Sequence, residues 1–299
     1  MYSRIVTARC PGSCGELVEG VLNGRDFLIT CPINLYSYVT AKISYVNKDI
    51  ICPPNYDKTL KAVKRLFKYL DIKDVGVSLT IDSQIPLGLG MASSTADITA
   101  ACIATASALD RKIGPDEIAN IALSIEPSDG TMFPGVVMID FLRGTMIKYI
   151  GELPNMEILV VDLGGQINTT NFYKERSLLT DKFKKKDESL ISEAIHLIKS
   201  GIHNKDVFEI GLGSILSARE NQKLLYKPKL EKIIDISKKL GASGVNIAHS
   251  GTVVGIMFLG DNNNFNLAKR LIRNEIGFVN RFFETKTTNI GPEIVKEGN

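Results

Sequence analysis

One stretch constrains this chain more than any other: Pro86-Leu87-Gly88-Leu89-Gly90-Met91-Ala92-Ser93-Ser94-Thr95-Ala96-Asp97. Residues 75–81 before it alternate apolar and polar side chains, which predicts a strand. The Ala-rich run that follows, up to residue 109, has neither Pro nor Gly and predicts a helix. The unit is therefore strand, glycine turn, helix. Glycines let backbone bend sharply and approach a ligand. Ser93, Ser94 and Thr95 fall at the helix start, where hydroxyls are expected to satisfy free N–H groups. A helix N-terminus opened by small residues suits an anion. The same residues also suit an ordinary turn with plain N-caps, so this stretch alone leaves both readings open.

The other segments supply context. Residues 2–9 read as a strand, and Cys10-Pro11-Gly12-Ser13-Cys14-Gly15-Glu16 as a turn of small residues. Asn23-Gly24 between apolar runs predicts a hairpin. Residues 35–46 read as a further strand, and 58–70 as a helix with Leu60, Val63, Leu66, Phe67 and Leu70 on one face. Gly114-Pro115-Asp116-Glu117 opens another helix, which delivers Glu126 at its end, before Pro127-Ser128-Asp129-Gly130. An acid there opposes the helix dipole and invites a cation partner. Residues 136–141 and 145–150 suggest a hairpin, and 151–155 a boundary between a domain at 1–152 and one at 153–299. Beyond it come a strand at 158–163 and helical sequence at 172–225 with breaks near the Lys182–Lys186 run and at Gly201. A helix at 229–240, a strand at 253–259, a helix at 264–274 and a strand at 278–285 complete the chain. Strands in hairpin runs make this α+β rather than a doubly wound sheet.

Composition excludes several classes. A net charge of +3 over 299 residues calls for neither nucleic acid nor an anionic membrane as partner. The Lys182–Lys186 run is followed at once by Asp187 and Glu188 and reads as a solvated face. No apolar run is long enough to span a bilayer, no secretory h-region opens the sequence, and five cysteines fit a reducing cytoplasm. Cys10 and Cys14 have no second pair to complete a metal site, and three histidines are few for one. There is no Gly-Lys dipeptide, so no Walker loop, and neither a His-Arg-Asp catalytic loop nor a Gly-x-Gly-x-x-Gly fingerprint after a strand.

What remains is a glycine loop with serines, an acid pair at Glu126 and Asp129, and two further small-residue segments. Phosphoryl transfer needs a phosphate cradle, Mg²⁺, and a group that orients the attacking hydroxyl. Hydroxyl and carboxylate oxygens are ligands that Mg²⁺ prefers. Pro86-x-x-x-Gly90-x-x-Ser93-Ser94 resembles the second motif of the GHMP kinase family, Gly241-Ala-Ser-Gly-Val its third, and Pro11-Gly-Ser-Cys-Gly-Glu16 lies where that family has its first. Cys31-Pro-Ile-Asn, Ala92-Ser-Ser-Thr-Ala-Asp97, Glu126-Pro-Ser-Asp129 and Ala248-His-Ser-Gly-Thr252 are similar to the L-threonine kinase branch used in cobalamin synthesis.

The resemblance implies a two-domain fold: an N-terminal half with a left-handed β-α-β unit and a ferredoxin-like C-terminal half. It implies ATP and Mg²⁺ as cofactors, with Pro86, Leu87, Gly88, Leu89, Gly90, Met91, Ala92, Ser93 and Ser94 around the nucleotide phosphates. Ser94 and Glu126 would hold the metal. Asp129 would take the substrate's proton or merely orient its hydroxyl, and is also a plain turn residue before Gly130. Ser13, Glu16, His249 and Ser250 would touch a small alcohol such as L-threonine. His249 also reads as a structural residue, and Glu16 as a turn cap or a ligand for an amino group. Homoserine, a mevalonate-type alcohol, or a regulator that binds nucleotide without catalysis are the rival readings, and a homodimer is left open.

Overall fold

The computed structural model describes residues 4–164, 188–223, 225–260 and 264–298. Two long strands form its spine. β1 (Ile5–Leu22) and β2 (Arg25–Ser44) are joined at Asn23 and Gly24, whose φ values of 52° and 72° are the left-handed pair that a two-residue hairpin turn needs.

The turn expected at residues 10–16 is not there. β1 runs through it, shifting register against β2 between Pro11 and Gly12, between Ser13 and Glu16, and between Glu16 and Val18. The small residues serve bulges and close contacts instead of a reversal. At Gly15 (φ 56°) a Cβ would lie 2.2 Å from the Ile247 carbonyl oxygen, so another strand can cross there only against glycine.

β3 (Ile50–Ile51), α1 (Asp57–Tyr69) and β4 (Gly76–Ser83) form a β-α-β unit whose two strands pair in parallel. α1 buries Ala62, Val63, Leu66 and Phe67, the face its spacing predicts. α2 (Ser93–Ala108) is buried on nearly every side, and its alanines let it lie close against β1 and β2. α3 (Pro115–Leu123) has Pro at its first turn, and β5 (Val136–Ile139) pairs with β6 (Ile147–Gly151) as expected.

The second half contains β7 (Met156–Asp162), α4 (Glu188–Asn204), α5 (Val207–Asn221), α6 (Leu230–Lys239), β8 (Gly244–Ile247), β9 (Val253–Leu259), α7 (Phe265–Ile276), β10 (Arg281–Lys286) and β11 (Glu293–Gly298). The path β10-β7-β9-β8 puts the last of these four strands beside the first, then the third, then the second. This is the ferredoxin-like order, and all three pairings are antiparallel. Ile158 and Val160 of β7 face a core shared with α4 and α5, and Leu159 and Val161 face one shared with α6 and α7.

β8 and β11 have no counterpart in the strands expected from the sequence. Both bind β1: Ile247 pairs with Glu16, and β11 runs antiparallel along residues 5–9. The segments on either side of residue 152 thus share one eleven-stranded sheet. The break expected at Gly201 falls four residues later, at Lys205 (φ 56°), where Asp206 caps α5 by accepting from the amides of Phe208 and Glu209. Gly201 lies inside α4 as a buried contact point, where a Cβ would meet the Asp206 carbonyl oxygen at 2.8 Å. The Lys182–Lys186 run, with the remainder of residues 172–187, lies outside the described residues.

Among the described residues no helix is long and apolar enough to cross a membrane, and all five cysteines are free thiols. α5 comes close to the start of β8 at Gly211, where a Cβ would stand 1.8 Å from the Ser243 carbonyl oxygen. Gly211→Ala is expected to cost about 3 kcal/mol, read as a lower denaturant midpoint in urea unfolding followed by circular dichroism.

Candidate active site

The helix start differs from the expected capped one. Ala92 stands at the N-cap in a left-handed conformation (φ 58°), and no side chain caps the helix. Gly88 (φ 76°) and Gly90 (φ 78°) precede it in the same region. The first amide of the helical ladder is Ala96, which donates to the Ala92 carbonyl at 2.9 Å. The amides of Ser93, Ser94 and Thr95 therefore lie ahead of the ladder. The hydroxyls are engaged elsewhere. Ser94 Oγ donates to Glu126, and Thr95 Oγ1 accepts from the Asp129 amide at 3.4 Å.

This helix end opens into a cavity of about 810 Å³. Leu87, Gly88, Gly90, Met91, Ala92, Ser93 and Ser94 line it; Pro86 and Leu89 do not. A Cβ at Gly88 would meet nothing within 4 Å, so this glycine is required by its dihedral and not by crowding. Leu89 instead holds the loop down, its carbonyl accepting from the Thr252 amide at 3.2 Å. The Met91 carbonyl accepts from the Ser13 amide at 3.0 Å. A Cβ at Gly251 would lie 2.0 Å from the Leu89 oxygen. The segments at Ser13 and at Gly251–Thr252, distant in sequence, are thus each in direct backbone contact with the glycine loop.

Glu126 sits in the turn after α3, its amide bound to the Ala122 carbonyl at 3.0 Å. Its carboxylate meets Ser94 on one side and the Lys58 ammonium on the other. The expected cation partner is therefore a lysine from α1, with Asn55, Tyr56 and Asp57 beside it on the cavity wall. Ser94 and Glu126 together present two hard oxygen donors at the mouth of the open helix end. That set fits Mg²⁺, which takes one or two carboxylates from protein and completes its shell with phosphate oxygens and water. Among the described residues no three His, Cys, Asp or Glu side chains are grouped to hold a metal by themselves.

A second, small chamber of about 50 Å³ adjoins the first; Gly90, Pro127, Asp129 and Ser250 border both. Glu16 and His249 line it, and Ser13 lines neither space: it is fully buried. The chamber is strongly acidic. Burial, then the charges of Asp129 and Glu19, push the Glu16 carboxyl well above the usual carboxylate range. Burial also raises Asp129, and Glu16 opposes that by hydrogen bonding to it. A buried Glu16 oxygen, Oε2, has no hydrogen-bond partner among the described residues.

Beneath the chamber lie two buried ions with no clear announcement in the sequence. Glu19 (1% exposed) is hydrogen-bonded to Nδ1 of His249, whose ring stands edge-on to Phe141 at 4.9 Å between centroids. Lys227 donates to the Ala248 carbonyl at 3.1 Å, and burial lowers its pKa to about 8. Glu19 carried one signal, being a lone acid within the apolar run Leu17-Val18-Glu19-Gly20-Val21-Leu22. Lys227 and Lys58 carried none. Asp97 also lines the larger cavity, accepting from Ser37 Oγ at 2.5 Å, and burial pushes its pKa up to about 6.

An open helix N-terminus on one side of a shared wall, and a chamber for a small polar molecule on the other, suit transfer of a phosphoryl group to a hydroxyl compound. The comparisons agree. Residues 57–134 match the GHMP kinases N terminal domain. The chain is 28% identical to the L-threonine kinase of Salmonella typhimurium over 258 residues, covering 85% of this chain and 83% of that one. It is likewise 28% identical to the L-threonine kinase of Citrobacter freundii, covering 85% and 86%. The crystal structure of homoserine kinase from Cytophaga hutchinsonii shares the fold, with a TM-score of 0.73 at 14% identity over 97% of each chain. Residues 57–134 thus carry a GHMP kinase N-terminal domain, and the L-threonine kinases that the chain matches over most of its length are phosphotransferases that act on a hydroxyl group.

Proposed function

We propose that this chain is an ATP- and Mg²⁺-dependent kinase that phosphorylates the side-chain hydroxyl of L-threonine to give O-phospho-L-threonine, in the cytoplasm and in service of cobalamin synthesis. The observation that carries the reading is the shared wall. Asp129 borders both the cavity at the helix end and the small acidic chamber, so a hydroxyl held in the chamber faces a phosphate held at the helix. The two L-threonine kinases support the choice of substrate.

The roles follow from chemistry. The loop amides and the open first turn of α2 hold the phosphates of ATP. Ser94 and Glu126 hold Mg²⁺, which when bound offsets charge on the phosphate oxygens. Glu16, with its unpaired buried oxygen, takes the substrate's ammonium group. The threonine oxygen forms a bond to the γ-phosphorus as the bond from that phosphorus to the bridging oxygen of ADP breaks. The hydroxyl proton leaves to Asp129 or, if Asp129 only orients the hydroxyl, to water. Lys58 lies where it neutralises the phosphates.

Purified protein is tested for ADP formation with L-threonine, homoserine and mevalonate. Threonine is expected to be turned over fastest by a wide margin; equal or faster turnover of either rival overturns the substrate assignment. The pH profile gives a second test. An Asp129 that accepts a proton must start as carboxylate, and burial raises its pKa. Turnover therefore falls as pH is lowered, with the midpoint above the ordinary aspartate value of about 3.9. Asp129→Asn should remove that limb along with most of the activity.

A further inference from the structure

We propose that Glu19 and Lys227 position His249 to bind the substrate's carboxylate, so that the small chamber reads an amino acid at both of its charged groups. This rests on the kinase reading above and deepens it. Among the described residues that line the chamber, His249 alone can carry positive charge; the other ionisable ones, Glu16 and Asp129, are acids. A free amino acid brings an ammonium and a carboxylate on one carbon. The acids can take the first but would repel the second, so the second belongs at the histidine.

The support beneath His249 is specific to that ring. An ionised carboxylate only accepts, so Glu19 requires a hydrogen on Nδ1, which fixes the ring's orientation. The Nε2 edge is then the one that a substrate carboxylate meets. Phe141 restrains the ring from the side. Lys227 binds the carbonyl of Ala248, the residue just before the histidine, and its charge acts on Glu19. Buried ions are costly unless paired. Here two of them, Glu19 at 1% and Lys227 at 6% exposure, converge on one side chain and its backbone. Neither lines the chamber, so both are positioning residues.

The test compares L-threonine with isopropanolamine, the amino alcohol that threonine becomes without its carboxylate. The wild-type protein should prefer threonine in kcat/KM by about a hundredfold or more, as expected where a site's donor would be left unpaired by the analogue. Glu19→Gln and Lys227→Met should each shrink that preference by about tenfold, the loss of one charge-assisted contact, and do so through the KM for threonine. Lys227→Arg, which keeps the charge, should restore it. His249→Gln, at the chamber wall itself, should shrink the preference at least as far as Glu19→Gln. Equal losses on both substrates in Glu19→Gln and Lys227→Met would indicate a purely structural role and overturn the inference. So would a wild-type preference retained in His249→Gln. Should the wild-type protein use threonine and isopropanolamine equally well, this inference falls and the kinase reading stands. Should it use neither but phosphorylate another alcohol, the threonine assignment falls and takes this inference with it.

Discussion

Glu126→Gln is expected to lower turnover by about a thousandfold, the scale of losing a preorganised group that stabilises transition-state charge, while leaving the protein folded. The exchange keeps size and hydrogen-bonding capacity but removes the negative charge. Ser94 can still donate to the amide oxygen, so the turn after α3 keeps its place. The other partner, Lys58, has a half-exposed side chain, and a pair of that kind adds at most about 1 kcal/mol to stability. A neutral amide oxygen is a much weaker ligand for Mg²⁺ than a carboxylate. Thermal unfolding should therefore shift little while steady-state ADP formation collapses. Added Mg²⁺ should recover part of the rate, since the site is weakened and not abolished. Near-normal activity in this variant would remove Glu126 from the site.

Gly251→Ala is expected to be the most damaging of the single-methyl changes near the cavity. Its Cβ would lie 2.0 Å from the Leu89 oxygen and 2.5 Å from the Gly90 Cα, both backbone atoms that cannot rotate away. Either the bond from Thr252 to Leu89 breaks or the glycine loop moves outward. The expected cost is about 3 kcal/mol, together with a loss of nucleotide affinity that exceeds any change in the KM for the alcohol. Gly88→Ala provides the contrast. It meets open space but keeps a positive φ, so its cost should be about 1–2 kcal/mol. Urea unfolding and nucleotide titration of the two variants separate crowding from dihedral strain. If Gly251→Ala binds nucleotide like the wild type, the contact between these segments does not shape the phosphate loop.

Local signals in the sequence were read correctly where local chemistry decides the structure. The Asn23-Gly24 turn, the apolar face of α1 and the alanine helix after the loop all depend on a few neighbouring residues. Elements governed by distant contacts were not legible. Residues 10–16 look like a turn until β8 is seen crossing at Gly15. The four residues of β8 and the charged β11 are strands because β9 and β1 pair with them, not by their own pattern. Gly201 looks like a helix break until Asp206 and Ile210 are found packed against it.

The site divides in the same way. The glycine loop, Ser94 and Glu126 lie in or close to sequence motifs, and the fold brings them together at one cavity. Lys58 and Lys227 are ordinary lysines in sequence and gain meaning only from Glu126 and Ala248. The hydroxyls of Ser94 and Thr95 were expected to cap the helix. Glu126 and the Asp129 amide take them instead, which leaves the helix's own amides open.

The strand at Glu293–Gly298 lies along residues 5–9, so β1 is completed only once a segment far along the chain is in place. Until then, one edge of β1 offers unpaired backbone groups to any passing strand. Contacts at such separation slow folding, because the whole intervening chain must be confined before they form. Residues 5–9 therefore keep an open sheet edge until β11 docks, even once β2 has paired with the other side of β1.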